Sequence, residues 1–111
     1  MPNPNNIPPY PSNMPILSRD LVASALANPI RWAILQALCD EPMGSSGLVG
    51  VVGGTTSTVA KHMNKLMAAG ICVRGKGQFY KIAPQFQPAP GTPRVLDFGH
   101  CIIRLDLPAP Q

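Results

Sequence analysis

Acidic residues are missing from the middle of this chain. Between Pro42 and Leu96 there is no Asp or Glu, although the same stretch contains six Lys or Arg residues. The five acids of the 111-residue chain all lie outside it, and the net charge is +4. A stretch of one charge sign is the pattern expected of a phosphate-binding face. The sequence also has no carboxylate pair and no nucleophile–base arrangement, so we predict no enzyme and no cofactor.

Cysteines and long apolar runs are scarce as well. The three cysteines are an odd number, which argues against a disulfide framework and for a reducing interior. No apolar run approaches the ~20 residues that a membrane span requires. The first residues lack the basic and then apolar pattern of a secretion signal. We therefore expect a cytoplasmic protein with no membrane partner.

Proline divides the chain into three parts. Residues 1–17 contain six prolines and no charged side chain, and they read as a Pro-rich N-terminal arm. Residues 18–83 read as the folded domain. Residues 84–111 read as a Pro-rich linker followed by a β-branched C-terminal strand, or strand pair, which either joins the first sheet or provides a dimer contact.

The segment 55–69 carries the clearest helix pattern. Thr55 follows a Gly-Gly turn as the N-cap, and Gly70 is the left-handed residue that ends the helix. At 100° per residue the apolar side chains fall on one side, and the other side is small, hydroxylated and positive. A helix with such an outer face can lie in the major groove of DNA. The rival interpretation is an ordinary solvated face, although such faces usually mix both charge signs.

Further helices are predicted before this segment, and strands after it. Ser18 and Asn28 are N-caps of two helices, and Ser45 or Ser46 caps a third, which is weakened by internal glycines. A hairpin within residues 72–82 carries basic side chains and suits a wing on the DNA backbone, with a plain surface hairpin as the alternative. The fold class is therefore mainly α with a small β wing (α+β): three to four helices, a β-hairpin and an extra C-terminal strand.

The ordered motifs resemble the ArsR family of winged helix-turn-helix transcriptional regulators. The resemblance runs from Ala25-Leu26-Ala27-Asn28-Pro29-Ile30-Arg31 through Ser57-Thr58-Val59-Ala60-Lys61-His62-Met63 to Ala69-Gly70-Ile71. It implies a homodimer that binds double-stranded DNA through helix 55–69 and wing 72–82, with repression as the expected outcome. The predicted DNA-binding residues are Thr55, Thr56, Ser57, Thr58, Lys61, His62, Lys65, Arg74 and Lys76.

Two expectations stay open at this point. His62 is either a flank residue hydrogen-bonded to the backbone or a contact to a phosphate or base edge. The protein is either the DNA-binding regulator or, in a different class, a winged-helix module that binds protein through its Pro-rich arms and C-terminal strand. The sequence identifies no small-molecule or metal effector.

The metal sites that the family resemblance implies do not carry over. The helix that would hold the thiolate site lacks Cys, His and acids, and the C-terminal helix that would hold the other site is missing. Asp97, His100 and Cys101 are the remaining candidate ligands, but neighbours on a strand point to opposite faces. We therefore predict no metal site.

Overall fold

The structure is a computed structural model that describes residues 16–107, so the predicted arm 1–17 lies almost entirely outside the described residues. Within that range no single helix has the length and apolar character needed to cross a membrane. Only the helices Arg19–Leu26 and Pro29–Leu38 taken together, across a 96° bend, meet these criteria by length and composition. The elements in chain order are α1 (Arg19–Leu26), α2 (Pro29–Leu38), α3 (Ser45–Val52), α4 (Thr56–Ala68), β1 (Cys72–Arg74), β2 (Tyr80–Ile82), β3 (Val95–Asp97) and β4 (Ile102–Arg104). This is the predicted α+β architecture, with four helices and an antiparallel hairpin wing.

Capping side chains set the starts of three helices, as the sequence predicts. The Ser18 hydroxyl accepts from the Leu21 N–H at 3.4 Å and begins α1. Asn28 Oδ1 accepts from the backbone N–H of Ile30 at 2.8 Å and begins α2. Thr55 caps α4. Each contact satisfies an N–H group that has no partner inside its helix.

Helix α3 begins differently from the prediction, which was wrong in placing the cap at Ser45 or Ser46. Its N-cap is Gly44, and no side chain bonds to the cap position. Glycine is itself a suitable N-cap residue. A Cβ on residue 44 would also lie 3.1 Å from Phe79 Cδ1, so glycine gives the wing room over the start of α3.

The C-terminal segment is a hairpin of two strands, the strand pair that the sequence offered as an alternative to one extra strand. β3 pairs with β4 in a sheet separate from β1–β2, so within residues 16–107 it does not join the wing. Leu96, Phe98 and Leu105 are fully buried and belong to the same core cluster as the helices. The Gln36 side chain of α2 donates to the Leu105 carbonyl at 2.9 Å. The hairpin therefore completes the core of the helical part.

Candidate nucleic-acid interface

Helix α4 separates a buried face from an exposed basic face. Val59, Met63 and Leu66 are at most 1% exposed and hold the helix against the core. Lys61 and Lys65 are exposed on the other side. The ion pairs within residues 16–107 join Arg94 to Asp40 and Arg104 to Asp106, so both α4 lysines are free of acidic partners. The same surface carries exposed Thr56, Ser57 and Asn64.

Two of the predicted DNA-binding hydroxyls hold the first turn of α4. Thr55 Oγ1 accepts from the Thr58 N–H at 3.2 Å, and Thr58 Oγ1 accepts from the Thr55 N–H at 3.0 Å. The Thr58 hydroxyl also donates to the Thr55 carbonyl at 2.8 Å. This reciprocal capping box fixes the start of the helix. The Thr56 and Ser57 side chains take no part in it and face solvent.

The wing carries two exposed cations, Arg74 and Lys76, as the sequence predicts. Arg74 lies at the end of β1, where its guanidinium is 5.0 Å from the centre of the Tyr80 ring and donates to the Tyr80 hydroxyl at 3.3 Å. These contacts hold an exposed cation in place while leaving it open to solvent. Lys76 is exposed in the short 3₁₀ turn Lys76–Gln78 at the tip. Phe79, next to that turn, is 51% exposed.

His62 lies at the edge of the exposed basic face, on the flank of α4 that meets α2. Its Nδ1 is 3.1 Å from Arg31 Nη1. Partial burial, and then the nearby Arg31 charge, lower the pKa of His62. The sequence reasoning missed this contact. Arg31 was singled out only as part of the family resemblance, and nothing local pairs residues that are 31 positions apart.

The candidate metal ligands have other partners. Asp97 Oδ1 accepts from the Gly99 N–H at 2.8 Å, and His100 Nε2 lies 3.0 Å from the Leu17 carbonyl oxygen, to which it donates. His100 and Cys101 lie in the turn before β4, outside the strand where they were expected. Residues 16–107 contain no group of three or more His, Cys, Asp or Glu side chains placed to hold a metal ion.

A cleft of about 860 Å³ lies away from the exposed face of α4. Its walls are the loop after α2, strand β2 and the Pro-rich segment 84–92, and no α4 side chain lines it. Arg94 pairs with Asp40 across it at 2.5 Å. Cys39 is half-buried at its edge, and burial raises the pKa of that thiol to about 11. The cleft therefore offers no reactive thiolate at neutral pH.

The helices, the wing and the exposed basic face of α4 define a winged helix-turn-helix domain. Residues 28–72, which span the helix-turn-helix, match the model of the family described as bacterial regulatory protein, arsR family, and this match supports a DNA-binding transcriptional regulator. Among solved structures, HlyU from Vibrio cholerae N16961 is similar, with 25% identity and a TM-score of 0.52 over 58% of this chain and 73% of HlyU. The comparison with curated proteins found no match. The family resemblance and the fold class predicted from the sequence are confirmed.

Proposed function

We propose that this protein is a sequence-specific repressor that binds its operator as a homodimer in the cytoplasm. The observation that carries the proposal is the exposed face of α4, which is positive, has no acidic partner within residues 16–107 and lies in an ArsR-type helix-turn-helix. In this proposal α4 enters the major groove and the wing lies on the backbone. No cofactor and no catalytic step are involved.

The exposed side chains divide into two proposed roles. Thr56, Ser57 and Lys61 reach base edges, because they are exposed at the start and centre of the helix. Lys65, Arg74 and Lys76 contact phosphates as exposed point charges. The capping box of Thr55 and Thr58 holds the first turn in the shape that brings its backbone N–H groups to a phosphate.

The open edge of β4 is the proposed dimer contact. Backbone bonds join Phe98 to Cys101 and Leu105 to Arg94, so in this register the N–H and C=O groups of Ile102 and Arg104 point away from β3. Antiparallel pairing with a second β4 would match Ile102 with Arg104 of the partner in both directions. Ile102 is 52% exposed on this edge. Unpaired edges of this kind favour strand addition.

A substitution can test this contact without touching the hairpin itself. Ile102→Pro removes an N–H that points outward, so the bonds to β3 remain. We expect light scattering to give a dimer mass for the parent and a monomer mass for this variant. Ile102→Thr keeps the N–H and is the matched control. A parent that stays monomeric at high concentration would refute the dimer.

Selection from a random duplex pool tests the proposed function. The enriched sequence should contain two inverted half-sites whose centres lie about 34 Å apart, or a multiple of it, because a two-fold dimer presents its recognition helices at that spacing. A pool that shows no enrichment over many rounds would contradict sequence-specific binding. It would favour the protein-binding alternative, in which the winged helix is an interaction module.

A further inference from the structure

The Arg31 side chain joins three helices at one point. From the first turn of α2, its Nε donates to the Ala25 carbonyl at 2.7 Å and its Nη2 donates to the Ser24 carbonyl at 3.1 Å. Both carbonyls lie in the last turn of α1, where donors within the helix run out. A cation is also favoured at this end of the helix dipole. Arg31 therefore fixes the end of α1 to the start of α2.

The remaining contact of Arg31 decides the protonation of His62. Arg31 Nη1 lies 3.1 Å from His62 Nδ1. A guanidinium can only donate, so Nδ1 must accept and carries no hydrogen. The ring is then neutral, with its hydrogen on Nε2. Burial and the Arg31 charge lower the pKa of His62 and keep the neutral ring dominant at physiological pH.

His62 lies at the edge of the proposed DNA-binding face. On α4, His62 is the surface neighbour of Thr58 one turn before it and of Lys65 three residues after it. The ring is partly exposed, and within residues 16–107 no protein atom accepts a hydrogen bond from its Nε2. A flank position next to exposed cations is where a backbone phosphate would pass a helix lying in the major groove.

We infer that Arg31 is a positioning residue for DNA recognition: its guanidinium, anchored on the end of α1, holds the His62 ring of α4 so that the imidazole Nε2–H donates to a phosphate oxygen. The inference rests on the proposed function and adds a residue that does not itself touch DNA. Of the roles that the sequence left open for His62, the inference chooses a contact to a backbone phosphate.

Nitrogen NMR of the free protein tests the first half of this inference. The chain contains two histidines, so the ring signals can be assigned with single variants. The parent should show a pyridine-type Nδ1 and a pyrrole-type Nε2 for His62. Arg31→Gln should move both signals toward an average of the two tautomers. His100 should not change, because its ring is bonded to Leu17. A pyrrole-type Nδ1 in the parent would overturn the inference even if the variant fails to fold.

A double-mutant cycle on DNA tests the second half, with random-sequence duplex at low salt as the probe. Arg31→Gln and His62→Ala should each weaken binding about tenfold, and the double variant should also lose only about tenfold, because Arg31 acts through His62. Arg19→Gln makes the same charge change on exposed α1 and should cost at most about twofold. Losses that multiply to about a hundredfold would show that Arg31 acts on its own. A parent that binds no DNA would instead refute the proposed function, whereas the NMR result would still report on Arg31.

Discussion

The substitution Phe98→Ala tests whether the C-terminal hairpin belongs to the domain core. Phe98 is fully buried, and its ring meets Phe86 edge-on at 5.0 Å. Removing a buried phenyl group costs about 3–5 kcal/mol in lost transfer energy and cavity formation. A domain of this size has roughly 5–15 kcal/mol of stability in total. We therefore expect the variant to lose a large part of its stability, or to be partly unfolded.

Urea unfolding followed through Trp32 measures this effect. Trp32 is the single tryptophan, is 7% exposed in α2, and reports on the helical core. Val51→Ala is the control, since Val51 is 49% exposed and its loss should stay within about 0.5 kcal/mol. If Phe98→Ala lowered the free energy of unfolding measured through Trp32 by less than about 1 kcal/mol, residues 84–107 would be an appendage and the core described above would be wrong.

Four further predictions concern single side chains. Thr55→Ala should destabilise the protein by about 1 kcal/mol in a thermal melt, because it breaks the capping box of α4; an unchanged melt would show that the cap contributes nothing. Lys61→Ala should relax sequence preference in a panel of operator variants, and an unaltered preference order would exclude a base contact. Lys76→Ala should weaken binding to all duplexes alike and reduce the salt slope of the dimer by about 2 units, one for each protomer; a loss confined to one sequence would instead show that Lys76 recognises a base. Burial raises the pKa of Cys72 to about 12, so a thiol reagent at pH 8 should modify Cys72 only after unfolding. Rapid labelling of Cys72 itself in the folded protein, located by peptide mass spectrometry, would contradict its burial.

Local chemistry made the helix boundaries predictable. Ser18, Asn28 and Thr55 cap their own helices, so sequence alone locates them. Gly70 has a φ of +82°, as expected for the residue that ends α4. The start of α3 could not be found this way. There Gly44 lies against the Phe79 ring of the wing, a contact that no local pattern reveals.

The residues of the candidate site were predictable from the sequence, but the contacts between distant residues were not. The exposure of the α4 lysines follows from helical periodicity. The positive charge of the wing follows from its basic residues and from the absence of acids between Pro42 and Leu96. The Arg31–His62 contact depends on how α2 packs against α4, so the sequence left His62 with two open roles. The pairing of β3 with β4 depends likewise on burial of Leu96 and Phe98 against the helices.

Binding of the full chain to random-sequence duplex DNA at increasing salt tests the DNA-facing surface most directly. Three phosphate-contacting cations per protomer, Lys65, Arg74 and Lys76, give six in a dimer and a slope of log affinity against log salt of roughly −5. Light scattering in the same buffers should give the dimer mass. We expect binding at low salt and a steep loss as salt rises. A protein that does not bind DNA at low salt would contradict the proposed regulator function and favour a protein-binding module.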